Sequence, residues 1–175
     1  YAPFLKSAMG VLPGVPGEES TLEDCFCLPD DITYSAVFID GCKSWYGTKY
    51  FMKETCERLE VGSHLIFQDY GHYTCFWLPA LVNTFSEYFE LIAHVDNTYT
   101  FRLTKPLYAR EVEARFPDQP EQFPIQDIAR LFAMGIQDAS MRSDIFGLLA
   151  INMQYAAALA YVGRKDMARR WLQGL

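Results

Sequence analysis

The sequence predicts an α/β fold: an open sheet with packed helices, closed by an antiparallel hairpin and followed by a helical segment. Three observations carry this. Residues 36–70 read as an apolar run ending in Asp40, an amphipathic stretch, Gly62, and a second apolar run ending in Asp69. Residues 90–95 and 98–104 flank the turn pair Asp96-Asn97, and Tyr99, Phe101 and Leu103 alternate with polar residues, the period of a half-buried strand. Beyond Pro106 the apolar residues recur at helical spacing to the end of the chain.

Taken in order, Phe4, Leu5, Ala8, Met9 and Leu12 have the spacing of a short amphipathic helix. Gly10, Gly14 and Gly17 lack the GxGxxG spacing, and Pro13 and Pro16 lack the N–H groups that a phosphate-cradling loop donates. That stretch reads as a turn-rich connector, with an acidic segment over residues 18–24. Residues 36–39 form a continuous apolar run, expected of a strand buried on both faces of a parallel sheet. Thr48 is positioned to cap the next helix, Met52, Cys56 and Leu59 supply its apolar stripe, and Gly62 suits a left-handed stop. Residues 64–67 are the second buried strand.

Leu78, Leu81, Val82, Phe85 and Phe89 mark another helix with Pro79 near its start. A third strand spans residues 90–95. Pro117, Pro120 and Pro124 make a linker, Ile125, Ile128, Phe132 and Ile136 one helical stripe, and residues 144–162 a long apolar helix closed by Gly163. A last helix carries Ala168, Trp171, Leu172 and Leu175 on one face. The chain divides into an α/β domain, residues 1–105, and a helical C-terminal extension, residues 106–175, packed on the sheet or on a second subunit.

Composition narrows the function classes. A net charge of −7 argues against nucleic acid or an anionic membrane as the main partner, since both are negative. Five cysteines, an odd number without paired spacing, fit reduced thiols and a cytoplasmic location. Cys25-x-Cys27 has no second pair to complete a zinc site. Residues 145–162 carry no charge and approach the length of a membrane span, but Asn152, Gln154 and the alanines suit a buried helix.

In open α/β sheets ligands bind in the crevice outside the carboxyl ends of the strands. Asp40 and Asp69 therefore face one crevice, either as functional carboxylates or as strand-end residues capping their loops. His72, on the loop after Asp69, is a candidate general base or a solvated loop histidine. His64 and His94 lie in strands and read as structural. Trp45, Tyr46, Tyr73, Phe76 and Trp77 crowd the same loops, as the lining of a substrate pocket or as a dimer interface.

The segments VFIDG-CKSWYGTKYF and LEVGSHLIFQDY resemble the C-terminal half of class I S-adenosylmethionine-dependent methyltransferases. They are most similar to the O-methyltransferase group with the pattern FIDG-x-H-x-Y…L-x-x-G-G-x-x-x-x-D-D-Y. The resemblance covers about residues 34–105. It implies part of a doubly wound, Rossmann-like sheet whose last two strands run antiparallel. It also implies methyl transfer from S-adenosylmethionine to a small-molecule hydroxyl, and a divalent cation such as Mg held by Asp40, Gln68 and Asp69. Two positions depart from the pattern. Lys43 replaces its histidine, and would act as a base only if burial lowered its pKa. Gln68 replaces its first aspartate, keeping an oxygen ligand but losing a charge.

The family's glycine-rich turn and ribose-binding acid are not identifiable in residues 1–35, so the cofactor-binding residues are unknown. An enzyme, or a fragment of one, and a non-catalytic interaction or dimerisation module both remain open. A nucleotide-dependent oxidoreductase is disfavoured without GxGxxG. An unpaired sheet edge is an association hazard, which predicts a homodimer.

Overall fold

The computed structural model describes residues 31–41 and 44–175. The expectations for the N-terminal helix, the glycine and proline connector, Cys25-x-Cys27 and Lys43 fall outside them. The described chain is α/β. Four strands, β1 (Tyr34–Ile39), β2 (Leu59–Phe67), β3 (Phe89–Val95) and β4 (Thr98–Leu103), form one mixed sheet in the order β1-β2-β4-β3. β1 and β2 are parallel, and β4 runs antiparallel to both β2 and β3. The expected hairpin is present, turning at Asp96 and Asn97.

Helices α1 (Trp45–Cys56) and α2 (Trp77–Thr84) connect the first three strands; α3 (Ala109–Arg115), α4 (Ile125–Met141), α5 (Ile145–Tyr161) and α6 (Lys165–Gln173) follow the sheet. Their apolar faces meet one side of it. Leu65 and Phe67 of β2 pair with Phe101 and Tyr99 of β4, and all four are buried. The alternate residues, among them Phe38, His64, Ile66 and Arg102, lie on the other side. Phe38 is 59% exposed, so the expectation that β1 is buried on both faces is not met among the described residues. An unbroken apolar run does not distinguish a strand covered on both faces from one covered on a single face.

The boundaries of α1 also differ from the sequence reading. Ser44 is its N-cap, accepting from the Gly47 N–H at 3.0 Å. Thr48 lies one turn inside, buried, and its hydroxyl donates to the Ser44 carbonyl. A threonine bonding back into a helix satisfies the spacing of a cap without being one. The helix ends at Cys56, and Leu59 already belongs to β2. Gly62 does not stop the helix. It sits inside β2 at φ +97°, where the register against β1 slips between Tyr34 and Ala36. Ser63 closes this irregularity, its hydroxyl donating to the Tyr34 carbonyl and accepting from the Glu60 N–H.

One hydrophobic core runs from the sheet into the helical segment. Leu107, Val112, Phe116, Ile128, Phe132 and Leu159 are buried in the same cluster as the strand residues. In the C-terminal pair, Tyr155 of α5 stacks on Phe132 of α4 and receives Trp171 of α6 edge-on, while buried Ala168 keeps the crossing close. Gly163, at φ +78°, makes the expected turn between α5 and α6. α1 is tied to the segment after the sheet by Lys49, only 3% exposed, whose ammonium bonds Glu113 at 3.1 Å and Asp118 at 2.6 Å. Trp45 adds its indole N–H to the Pro117 carbonyl at 2.7 Å.

A Cβ at Gly62 would meet no atom within 4 Å, so the cost of Gly62→Ala is purely conformational. Forcing a side chain into that backbone region should remove about 1–2 kcal/mol of stability. Urea unfolding should show a lower midpoint with an unchanged m-value; an unshifted midpoint would mean that the bulge relaxes freely.

Candidate functional site

Because β1 and β2 are parallel with Ile39 opposite Phe67, both chains leave the sheet at the same edge. The ladder continues one step further, the Gln68 N–H donating to the Ile39 carbonyl at 3.0 Å. Asp40 and the Gln68-Asp69 pair are therefore neighbours at adjacent strand exits, and β3 delivers Asp96 to the same edge. Asp40 is exposed, while Gln68 and Asp69 are half-buried. Asp69 has φ +61°, a left-handed conformation that aspartate tolerates better than most residues but that still costs energy. Held strain of this kind collects at functional sites.

The loop after Asp69 is fixed from three directions. The His72 N–H donates to the Asp69 carbonyl at 3.0 Å, closing a turn, and the Gly71 N–H donates to the Asn97 carbonyl at 3.1 Å in the hairpin turn. A Cβ on Gly71 would come within 3.3 Å of Asn97 and 3.2 Å of the Tyr99 ring, so glycine permits that approach. From below, the amide of Gln154 in α5 donates to the Tyr70 carbonyl at 2.6 Å and to the His72 carbonyl at 2.9 Å. Gln154 is 1% exposed. The helical segment thus holds the backbone of the loop that carries the candidate site.

His72 points its Nδ1 to the Thr74 hydroxyl at 2.9 Å and stacks on Tyr73 with ring centroids 4.4 Å apart. The other ring nitrogen is then the one left to exchange a proton. Lys43 lies outside the described residues. The oxygen donors at the strand exits, two carboxylates and an amide carbonyl, are of the hard type that Mg or Ca takes. Among the described residues no group of three or more His, Cys, Asp or Glu side chains is arranged to hold a metal ion. A cation there would rely on Gln68 as well as the two aspartates.

The aromatic residues expected to crowd the loops separate into three groups. Trp45 is core rather than lining, stacked on Phe116 at 4.3 Å, and Phe76 is buried beside it at 6.1 Å. Trp77 is half-buried. Tyr46 and Tyr73 remain exposed.

A cleft among the described residues lies elsewhere. It measures about 300 Å³ and lies between the covered face of the sheet and helices α2, α4 and α5. It shares Tyr70 and Gly71 with the loop, but neither Asp40 nor Asp69 lines it. Burial pushes the Tyr70 hydroxyl far above the usual phenol range. It pushes Tyr99 up to about 12, with the Asp144 carboxylate adding to the effect, so both phenols stay protonated.

At the cleft mouth Asp144 caps α5 through the Gly147 N–H at 2.8 Å. It also lies 3.4 Å from both the Tyr99 hydroxyl and His94 Nε2, and 4.0 Å from the Arg142 guanidinium. His94 reaches it because Ile92 is an extra residue in β3, and the slip turns His94 to the helix side opposite Tyr99. The sequence signal for Gln154 was its place, with Asn152, as a polar residue in an otherwise apolar helix. Nothing in the spacing pointed to Arg142 or Asp144.

No helix of the described residues is long and apolar enough to cross a membrane. Cys56 and Cys75 are both buried. No family model, curated protein or solved structure matches this chain.

Gln154→Leu keeps most of the volume and removes both donors. Leaving two carbonyls without them should cost about 2–3 kcal/mol, and hydrogen exchange should accelerate at Gly71 and His72 before other amides. Uniform acceleration across the chain would show that the contact is not local to the loop.

Proposed function

We propose that this chain carries the acceptor side of an S-adenosylmethionine-dependent O-methyltransferase, positioning a small-molecule hydroxyl at the edge where β1 and β2 end. The observation that carries this reading is the exit of Asp40 and Gln68-Asp69 from adjacent parallel strands. It comes together with a strained backbone at Asp69 and a loop braced on three sides. The hairpin of β3 and β4 adds support, since the resemblance implies antiparallel final strands.

In this reading the doubly wound sheet is completed by the half that binds the methyl donor, against the edge of β1 that is unpaired among the described residues. Asp69 holds the backbone of the crevice in place and orients the acceptor, and His72 takes the hydroxyl proton through Nε2. A cation held by Asp40, Gln68 and Asp69 would lower the hydroxyl's pKa. The rest of the rate comes from holding the acceptor oxygen in line with the transferred methyl.

Titration calorimetry of the full chain with S-adenosylmethionine tests the reading directly. Binding is expected once the donor-binding half is present, and transfer from labelled donor to a panel of phenols and alcohols should then fall about a hundredfold in Asp69→Asn. Silence at millimolar donor would end the enzyme reading for this chain.

A second reading, a non-catalytic interaction or dimerisation module, is favoured by the edge itself. β1 carries no charged residue and no proline, lacking the usual protection against edge pairing, and Phe38 is exposed beside it. Light scattering should then report a homodimer that Phe38→Lys dissociates; a wild-type monomer would count against it.

A further inference from the structure

We propose that the cleft between the sheet and helices α2, α4 and α5 is a binding site for a small organic amine with a ring-sized apolar body. It is separate from the strand-exit crevice and does not depend on how that crevice is read.

The room is made by side chains too small to fill it. α4 contributes Gly135 and Ala139, and α5 contributes Gly147 and Ala150. Two of these are fixed by close approach. A Cβ at Gly147 would stand 2.2 Å from Asp144 Oδ2, and one at Gly135 would stand 3.0 Å from Ile151. Ala150 also leaves the space open. Interiors are normally packed to the density of organic crystals, and 300 Å³ is the lower end of the range that holds small ligands.

The lining specifies the ligand. The floor is aromatic: Tyr70, Tyr99 and Phe101 lie with ring centroids 4.6 Å and 5.1 Å apart along the sheet. Two amides line the cleft, and each directs its NH2 to a backbone carbonyl, Asn83 to Leu131 at 2.8 Å and Gln154 to Tyr70 and His72. Their own carbonyl oxygens are the groups left to meet a ligand, and these only accept. Arg142 is the lining cation, but it is bonded to Asp138 and backed by Asp144. Asp138, 56% exposed, neutralises that guanidinium at the opening, while Asp144 stands outside the lining and also faces His94. Acceptors and aromatic faces favour an ammonium over a neutral or anionic head group.

The test is a heteronuclear NMR titration of the full chain with phenethylamine, 2-phenylethanol and phenylacetate, which share a ring and differ in head group. Phenethylamine should shift the amides of Gly135 and Gly147 and bind at least fivefold more tightly than the alcohol, with phenylacetate weakest. Asp138→Asn, a change at an exposed position, should weaken the amine about fivefold and leave the alcohol unaffected. Ala150→Leu should reduce binding of every probe. Equal binding of the three compounds, no binding, shifts confined to another surface, or an Asp138→Asn protein with undiminished amine affinity would each overturn the proposal.

Discussion

The pairing of β2 with β4 sets the frame for the rest of the molecule. Leu65 lies opposite Phe101 and Phe67 opposite Tyr99, and these side chains form the surface on which the helices pack. Side chains alternate along a strand, so a slip of one residue would bring either His64 and Ile66 or Thr100 and Arg102 under the helices instead. The cost of burying His64 or Arg102 excludes that register. With it fixed, the point at which β2 leaves the sheet is fixed too, and so is the position of Asp69 beside Asp40. The candidate site is a consequence of core packing several residues away.

The helical segment is joined to the sheet by polar contacts as well as apolar ones. Hydrophobic contact supplies most of the free energy but little direction. Lys49 bonds two carboxylates from the segment after the sheet, and Gln154 bonds two carbonyls of the loop after β2. Such contacts allow little sliding, because each misplaced buried donor would go unsatisfied. The two carboxylates facing Lys49 are about half exposed, which lets water share the solvation of that ion pair. The Gln154 contact is neutral and buried, and incurs no ionic desolvation.

Much of this architecture was legible in the sequence. The four strands, the hairpin turn at Asp96-Asn97, and the closing glycine at 163 all follow from local pattern. So does the placement of Asp40 and Asp69 at strand exits. What failed did so for definable reasons. Thr48 looked like a cap because a helix-interior threonine and an N-cap threonine have the same spacing to the apolar stripe. Gly62 looked like a helix stop because a positive φ is equally useful in a bulge. Trp45 looked like pocket lining because its partners, Phe116 and Pro117, lie more than seventy residues away in the chain. The cleft was invisible for the same reason: it exists only where three helices and two strands meet.

The extra residue in β3 has a bearing on how this region tolerates length changes. Alternation on the two sides of Ile92 is out of phase by one, so the hairpin end is a different reading frame from the rest of the strand. Removing Ile92 would restore regular pairing, with Ala93 still opposite Thr100 and His94 still opposite Tyr99, so His94 would stay on the helix side beside Asp144. A single-residue deletion at the bulge would thus be absorbed within the hairpin and leave the helix cap on the opposite layer undisturbed.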